Sequence, residues 1–368
     1  MQIARSVHPL PGEAERKARL LSLVDAFGGK RVALIGDLIA DEFIYGRVSR
    51  VSREAPVLIL QYDATEVVAG GGGNAANNAA ALGASVRLAG LAGRDEPGRR
   101  MLKSLHRGVD ARRVLRPSGW QTPVKTRILA GGIHSAKQQV VRVDRERAWQ
   151  GTAAERRALR DRVRQAIDGC DAVIVSDYGL GVVTPELVAD VRALVARRNR
   201  RRRVPILIDS RYELLRYPGL TACTPNESEV ERLLGVSLDD EPAALERAGR
   251  TLLRRTGMEA VLVTRGSRGM ALFEPRRATE HIAIYGSDEI ADVTGAGDTV
   301  IATMGLALAC GASFYEAARL ANYAGGLVVM KRGTATVSPA ELAAAIEQDH
   351  PTPVENWSQE GPDQGRRS

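Results

Sequence analysis

The sequence predicts an α/β fold: a mostly parallel sheet covered by helices on both faces, with a second, smaller sheet set apart from it. Three observations carry the prediction. Six short apolar runs have the character of strands buried on both faces. Stretches of helical periodicity alternate with them, the order expected of parallel strands. Two longer stretches interrupt this order with an extended pattern of their own.

Residues 1–29 carry scattered charges without the apolar core of a signal peptide and are assigned as an N-terminal helical extension. Strands are predicted at 31–35, 85–91, 172–176, 205–209, 222–223 and 260–264. Helices are predicted around 75–83, 96–107, 153–168, 184–198, 227–235 and 241–256. Asp37, Asp41, Asp177 and Asp209 all follow strand-like runs, and ligands of such sheets gather at the carboxyl ends of strands. The interrupting stretches, 43–68 and 122–143, contain runs such as Val57-Leu58-Ile59-Leu60-Gln61-Tyr62. They fit a small separate sheet or a plain hairpin insertion. The main unit spans 30–345, followed by a polar tail, 346–368, that cannot pack a core, so a single stand-alone unit is expected.

Composition narrows the class. Of the 368 residues 44% are hydrophobic, ample for a core, yet no apolar run is long enough to span a bilayer. Cys170, Cys223 and Cys310 are too far apart to mark a disulfide framework or a metal-ligand spacing, which points to the reducing cytoplasm. The net charge of +8 raises nucleic acid as a partner. The densest basic run, 197–203, follows a helical pattern, where cations meet the negative end of a helix dipole. No aromatic residue interleaves it, so the stacking surfaces of a nucleic-acid binder are missing. No nucleic acid and no membrane are expected as partners; a basic surface also suits phosphate-bearing substrates.

The segment Asp292-Val293-Thr294-Gly295-Ala296-Gly297-Asp298 is the most informative. Gly295, Ala296 and Gly297 let backbone N–H groups turn inward, and the helical stretch after them adds its unpaired first-turn donors. Such a turn holds an anion. Asp298 beside it is oddly placed unless it handles a proton, as a general base would next to a transferring phosphoryl group. Taken alone, the segment also fits a glycine turn capping a helix. Neither a Gly-x-x-x-x-Gly-Lys-Ser/Thr loop nor a dinucleotide fingerprint after the first strand is present.

Four further segments resolve the choice: Gly36-Asp37-Leu38-Ile39-Ala40-Asp41, Gly70-Gly71-Gly72-Gly73-Asn74, Thr224-Pro225-Asn226-Glu227-Ser228-Glu229 and Val263-Thr264-Arg265-Gly266-Ser267-Arg268-Gly269. With 292–298, and in this order, they resemble the PfkB/ribokinase family of carbohydrate kinases. The resemblance implies a ribokinase-like three-layer α/β/α sandwich with a small β-sheet lid that covers the sugar and forms a homodimer contact. It implies ATP and Mg²⁺ as cofactors. Asp298 would be the base, with Gly295, Ala296 and Gly297 as the anion hole. Asn226 and Glu229 would orient the hydrated metal; Thr264, Gly266, Gly269 and Asn322 would lie by the nucleotide. Asp41, Gly71, Gly72, Asn74 and Asp177 would line the sugar site. Asp292 and Thr294 would hold a monovalent cation such as K⁺.

Within that family, Tyr45–Val57, Lys125-Thr126-Arg127, Gln138–Asp144, Ser176-Asp177-Tyr178-Gly179 and Gly333–Ser338 are most similar to heptose 7-phosphate kinases of lipopolysaccharide biosynthesis. A sugar phosphate needs cations far from the base. Lys125, Arg127 and Arg142, with Arg50 and Arg53, are the candidates; each also fits a solvated lid charge. Lys125 and Arg127 are two apart on an extended segment, so they share a face and call for an anion. Three positions depart from the subfamily: Leu180 where it has Lys, Asp209-Ser210-Arg211 where it has Asp-Pro-Lys, and Arg53 where it has Pro. The alternatives left open are another sugar, sugar phosphate or nucleoside as substrate, and a non-catalytic sugar-phosphate sensor.

Overall fold

All six runs predicted as strands lie in one nine-stranded sheet of the computed structural model, which describes residues 12–131, 137–198, 203–239, 241–286, 293–331 and 333–349. In chain order the elements are α1 (Glu13–Asp25), β1 (Arg31–Gly36), β2 (Leu38–Val51), β3 (Leu58–Gly71), α2 (Gly72–Ala81), β4 (Ser85–Leu91), α3 (Glu96–Lys103) and β5 (Val109–Leu115). Then come β6 (Val124–Gly131), β7 (Gln138–Arg145), α4 (Ala153–Ile167), β8 (Ala172–Asp177), α5 (Pro185–Arg198), β9 (Ile206–Ser210), β10 (Ala222–Cys223), α6 (Glu227–Leu234) and α7 (Pro242–Thr256). The last are β11 (Ala260–Thr264), β12 (Met270–Phe273), β13 (Glu280–Ile282), α8 (Ala296–Ala309), α9 (Phe314–Val329) and α10 (Pro339–Gln348).

The large sheet runs β13-β12-β11-β10-β9-β8-β1-β4-β5, and every pairing from β11 to β5 is parallel. Alternate residues of each strand feed two cores. Val32, Leu34, Ile174 and Leu207 pack with α1, α2, α8, α9 and α10 on one face. Ala33, Ile35, Val173 and Ile208 pack with α4, α5 and α7 on the other. Residues buried on both sides must be apolar at every position, which is why the strands read as continuous runs. α1 is no mere extension: Leu20, Leu23 and Val24 are part of the first core. α8 is buried almost all round, and its Thr303 hydroxyl is satisfied by the Thr299 carbonyl at 2.8 Å.

The interrupting stretches form a separate four-stranded sheet, β3-β2-β6-β7. Its first hairpin is longer than predicted, starting at Leu38 and ending at Gly71, because only Asp37 separates it from β1. Bulges at Tyr45/Gly46 and Val48/Arg50 bend this hairpin. Three strands went unpredicted. β5 is an edge strand whose Asp110, Arg112 and Arg113 mask its pattern, while β12 and β13 are short and antiparallel. Among the described residues no helix is long and apolar enough to cross a membrane.

Candidate active site

The chain leaves β1 at Asp37 and β8 at Asp177, neighbouring strands on either side of which the strand order runs apart. A sheet of this kind opens a crevice at that point. Asp37 accepts hydrogen bonds from the backbone N–H groups of Tyr178 at 2.8 Å, Leu180 at 3.1 Å and Val182 at 3.4 Å. Burial outweighs these bonds and pushes its pKa up to about 6. The effect is to tie loop 178–182 to β1. Asp177, predicted as a sugar contact, is taken up elsewhere. Its carboxylate accepts from Ser210 Oγ at 2.7 Å, Tyr217 OH at 2.9 Å and Gly179 N at 3.0 Å. It braces the strand ends instead of facing the cleft.

The loop so held brings Tyr178 to Asp298, on which the site converges. Gly295 leads into α8 with φ +79°, and a Cβ there would lie 2.3 Å from Asn74 Nδ2. That close approach lets Asn74, in the first turn of α2, donate to Asp298 Oδ2 at 2.8 Å. The Tyr178 hydroxyl donates to Oδ1 at 3.2 Å. Burial, the largest influence, raises the Asp298 pKa to about 7 and the charge of Asp41 adds to it, against the hydrogen bonds from Asn74 and Tyr178 and the charge of Lys125. Burial and the surrounding carboxylates push the Tyr178 hydroxyl far up, so it stays a donor. A carboxylate poised near neutrality at a helix start is equipped to take a proton. Gly297 lines the cleft beside it, whereas the Ala296 N–H already donates to the Val293 carbonyl at 3.3 Å. Thr294 precedes them in a turn; Asp292 lies outside the described residues.

Gly71 and Gly72, predicted at the sugar, clamp backbone to backbone. Gly72 N–H donates to the Asp37 carbonyl at 2.9 Å, and a Cβ on Gly71, at φ +57°, would lie 2.8 Å from that oxygen. They seat the start of α2 and so the Asn74 amide.

The lid supplies the cations. Arg127 forms a buried ion pair with Asp41, its guanidinium 5.4 Å from the Phe43 ring centroid. Room for that carboxylate comes from Gly70, where a Cβ would fall 2.1 Å from Asp41 Oδ2. Lys125 is 3.0 Å from Glu146 and 5.2 Å from the Tyr178 ring centroid. Arg142 faces Arg127 across the β6–β7 ladder and pairs with Asp144 at 2.9 Å. The anion that Lys125 and Arg127 call for is thus provided in part by the chain itself, through Glu146 and Asp41. Lys125 and Arg127 are buried rather than solvated; Arg50 and Arg53 are exposed.

From Tyr178 and Asp298 a cleft of about 390 Å³ extends to Asn322. At one end stand Asp209, Glu229, Thr224, Asn226 and Arg211. Asn226 caps α6, accepting from Glu229 N at 2.9 Å, while Glu229 Oε2 accepts from Asn226 N at 3.0 Å. Burial raises the Asp209 pKa well above the ordinary range, and the charges of Glu229 and Asp298 add to it. Beside Asn226, to which Thr264 is bridged, Thr264, Gly266 and Gly269 form a turn, and Met270, Ile284 and Val329 give the cleft an apolar wall. Gly269 has φ +76°, and a Cβ there would meet the Ile282 carbonyl at 2.0 Å. Asn322 is buried, donating from Nδ2 to the Ala283 carbonyl at 2.8 Å. Sequence reasoning missed Tyr178, Arg211 and Thr224 as site residues, although their position just beyond β8, β9 and β10 was an available signal, and it named Asp209 only as a carboxylate at a strand end.

Residues 30–341 match the family model described as pfkB family carbohydrate kinase. The Bifunctional protein HldE of Trichlorobacter lovleyi is 41% identical over 319 residues, 86% of this chain but only 63% of that protein. The protein of that name from Caulobacter vibrioides is 39% identical over 340 residues, 91% of this chain and 67% of that one. Phosphofructokinase-2 from Escherichia coli in complex with potassium shares the fold at TM-score 0.68 and 18% identity, over 87% of this chain and 98% of that one. Arabidopsis thaliana ribokinase complexed with ribose and ATP does so at TM-score 0.65 and 19% identity, over 87% and 100%. The fold is ribokinase-like, and the chain belongs to the PfkB family of carbohydrate kinases, phosphotransferases acting on a hydroxyl group.

Proposed function

We propose that this chain transfers the γ-phosphoryl group of ATP to the anomeric hydroxyl of D-glycero-D-manno-heptose 7-phosphate, a step toward ADP-heptose and lipopolysaccharide. The observation that carries the reading is Asp298: a buried carboxylate with a pKa near 7, between a cationic lid and a cleft of nucleotide size. Asp298 accepts the proton of the attacking hydroxyl, while Gly295 and Gly297 at the start of α8 hold the transferring group. Asp41 holds sugar hydroxyls. Lys125, Arg127 and Arg142 read the sugar's own phosphate, Arg with the geometry suited to it. Thr264, Gly266 and Gly269 lie along the nucleotide phosphates and Asn322 by the base. The HldE relatives support the heptose.

A divalent cation fits the acidic end of the cleft. Burial raises the pKa of both Asp209 and Glu229, the charge of Glu229 adding to the rise at Asp209, and the buried Thr224 Oγ1 has no hydrogen-bond partner among the described residues. These hard oxygen donors, with Asn226, would hold Mg²⁺ directly or through water. When bound, the ion neutralises phosphate charge. Asp292 and Thr294 are proposed for a monovalent cation such as K⁺.

Release of ADP from ATP is the test of substrate. The expected result is strong preference for heptose 7-phosphate over ribose and fructose. Turnover of the free sugars without turnover of the heptose phosphate would reject the proposal. One observation favours a different sugar phosphate: Leu180, where the resembled subfamily has Lys, is only 6% exposed and brings no cation. We also propose a homodimer through the lid, whose strands expose Val51, Leu58, Tyr62, Val141 and Val143. Sedimentation of the purified chain should give twice the monomer mass; a monomer at micromolar concentration refutes it.

A further inference from the structure

The Asn74 amide can support Asp298 only with its NH₂ group turned toward the carboxylate, and a second pair of side chains fixes that. We propose that Asn78 and Thr299 are positioning residues for the base, locking the Asn74 side chain in the one orientation that keeps Asp298 able to ionise. This rests on the reading of Asp298 as the base.

Asn74 and Asn78 are four apart on α2 and so lie on one face of it. Thr299 follows Asp298 on α8, which packs against that face. All four side chains are buried, with exposures between 0% and 4%. Geometry decides the polarity. Asn78 Nδ2 lies 3.0 Å from the Asn74 backbone oxygen, and a carbonyl can only accept. That end of Asn78 is therefore the donor, and its Oδ1 faces Thr299, whose hydroxyl donates to it at 2.9 Å. The same Nδ2 lies 3.2 Å from Asn74 Oδ1. This makes Oδ1 the acceptor end of Asn74 and leaves its Nδ2 for Asp298 Oδ2 at 2.8 Å. Donors thus point one way, from Thr299 through Asn78 and Asn74 to the carboxylate.

Reversed, Asn74 would set an oxygen against an ionised oxygen in a buried site, where no solvent relieves the repulsion. The other groups that face the base are Tyr178 from the loop after β8, Asp41 from β2, Lys125 from β6 and Asp209 from β9. They set its surroundings, while the orientation of Asn74 is set from α2 and from the start of α8, where the Gly295 carbonyl lies 3.5 Å from Asn74 Nδ2 and 3.2 Å from the Thr299 hydroxyl.

The test is the pH profile of kcat/KM for the sugar phosphate. Asn78→Asp keeps the size but sets a carboxylate against Asn74 Oδ1, and both its repulsion of the Asp298 charge and the loss of the Asn78 donor raise the pKa of the base. The acid limb should then move up by about one pH unit or more, as when a charge-assisted hydrogen bond to a carboxylate is lost. The KM for ATP should hold. A buried carboxylate can itself unfold α2, so Thr299→Val, which keeps shape and removes the hydroxyl, is the second variant. It should shift the limb the same way by less, and Thr299→Ser should restore it. Asn77→Ala is the structural control: Asn77 bonds His106 N at 2.8 Å and Ser104 O at 3.3 Å, so its loss should lower Tm without moving the limb. Folded Asn78→Asp and Thr299→Val enzymes with the wild-type limb would overturn the proposal, as would an equal shift in Asn77→Ala. An Asp298→Asn enzyme that still turns over overturns the base assignment instead, which separates the two failures.

Discussion

Asp298→Asn is expected to leave a folded protein that binds ATP and has lost turnover by ~10²–10⁴-fold, the usual cost of removing a general base. The amide fills the same volume and can keep a hydrogen bond with Tyr178 or Asn74, but it cannot take a proton. The wild-type pH profile carries the same information with a definite sign. Asp298 accepts a proton only when ionised, and burial raises its pKa to about 7. The rate should therefore rise with pH through about 7 and be lost below it, well above the range of an ordinary carboxylate. Steady-state ADP release at saturating ATP measures both. Near-normal release by the variant, or an acid limb near pH 4 in the wild type, would remove Asp298 from the role.

The α/β core was legible because strands buried on both faces must be apolar throughout, and Ser85–Leu91 and Ala260–Thr264 match their predicted bounds. Edge strand β5 was not, since Asp110, Arg112 and Arg113 answer to solvent and to one another, not to a core. The site was legible where chemistry demands a residue type at a fixed spacing, as in the turn from Gly295 to Asp298. It was illegible where several carboxylates share one sequence signal and only packing tells them apart. Asp37, Asp41, Asp177 and Asp209 all follow apolar, strand-like runs in the sequence, yet Asp37 and Asp177 are consumed by backbone and hydroxyl donors. Asp41 meets a lid cation and Asp209 faces the cleft. Tyr178 escaped notice for the same reason: the loop that aims it is tied down by Asp37, far away in sequence.

Arg127→Ala separates recognition from support, because Arg127 faces both the proposed sugar phosphate and Asp41. If it reads the sugar's phosphate, its loss should weaken sugar-phosphate binding by about 1.5–3 kcal/mol, a tenfold to hundredfold rise in KM, with the KM for ATP little changed. Its other partner is Asp41, buried with it, and truncating one member of such a pair leaves an uncompensated charge that costs about 3–5 kcal/mol of stability. Burial already raises the Asp41 pKa, with Arg127 the foremost opposing influence, so in the variant that pKa climbs further above its unfolded value. A carboxylate raised in this way is a burden above its folded pKa and is relieved by protonation as pH falls. The Tm deficit of Arg127→Ala should therefore shrink on acidification. Adding Asp41→Asn removes the stranded charge and should recover much of the Tm without recovering the sugar-phosphate KM. An Arg127→Ala enzyme with weakened ATP use and an unchanged sugar-phosphate KM would place the arginine on the nucleotide side. The 7-phosphate would then have to be read by Lys125 and Arg142.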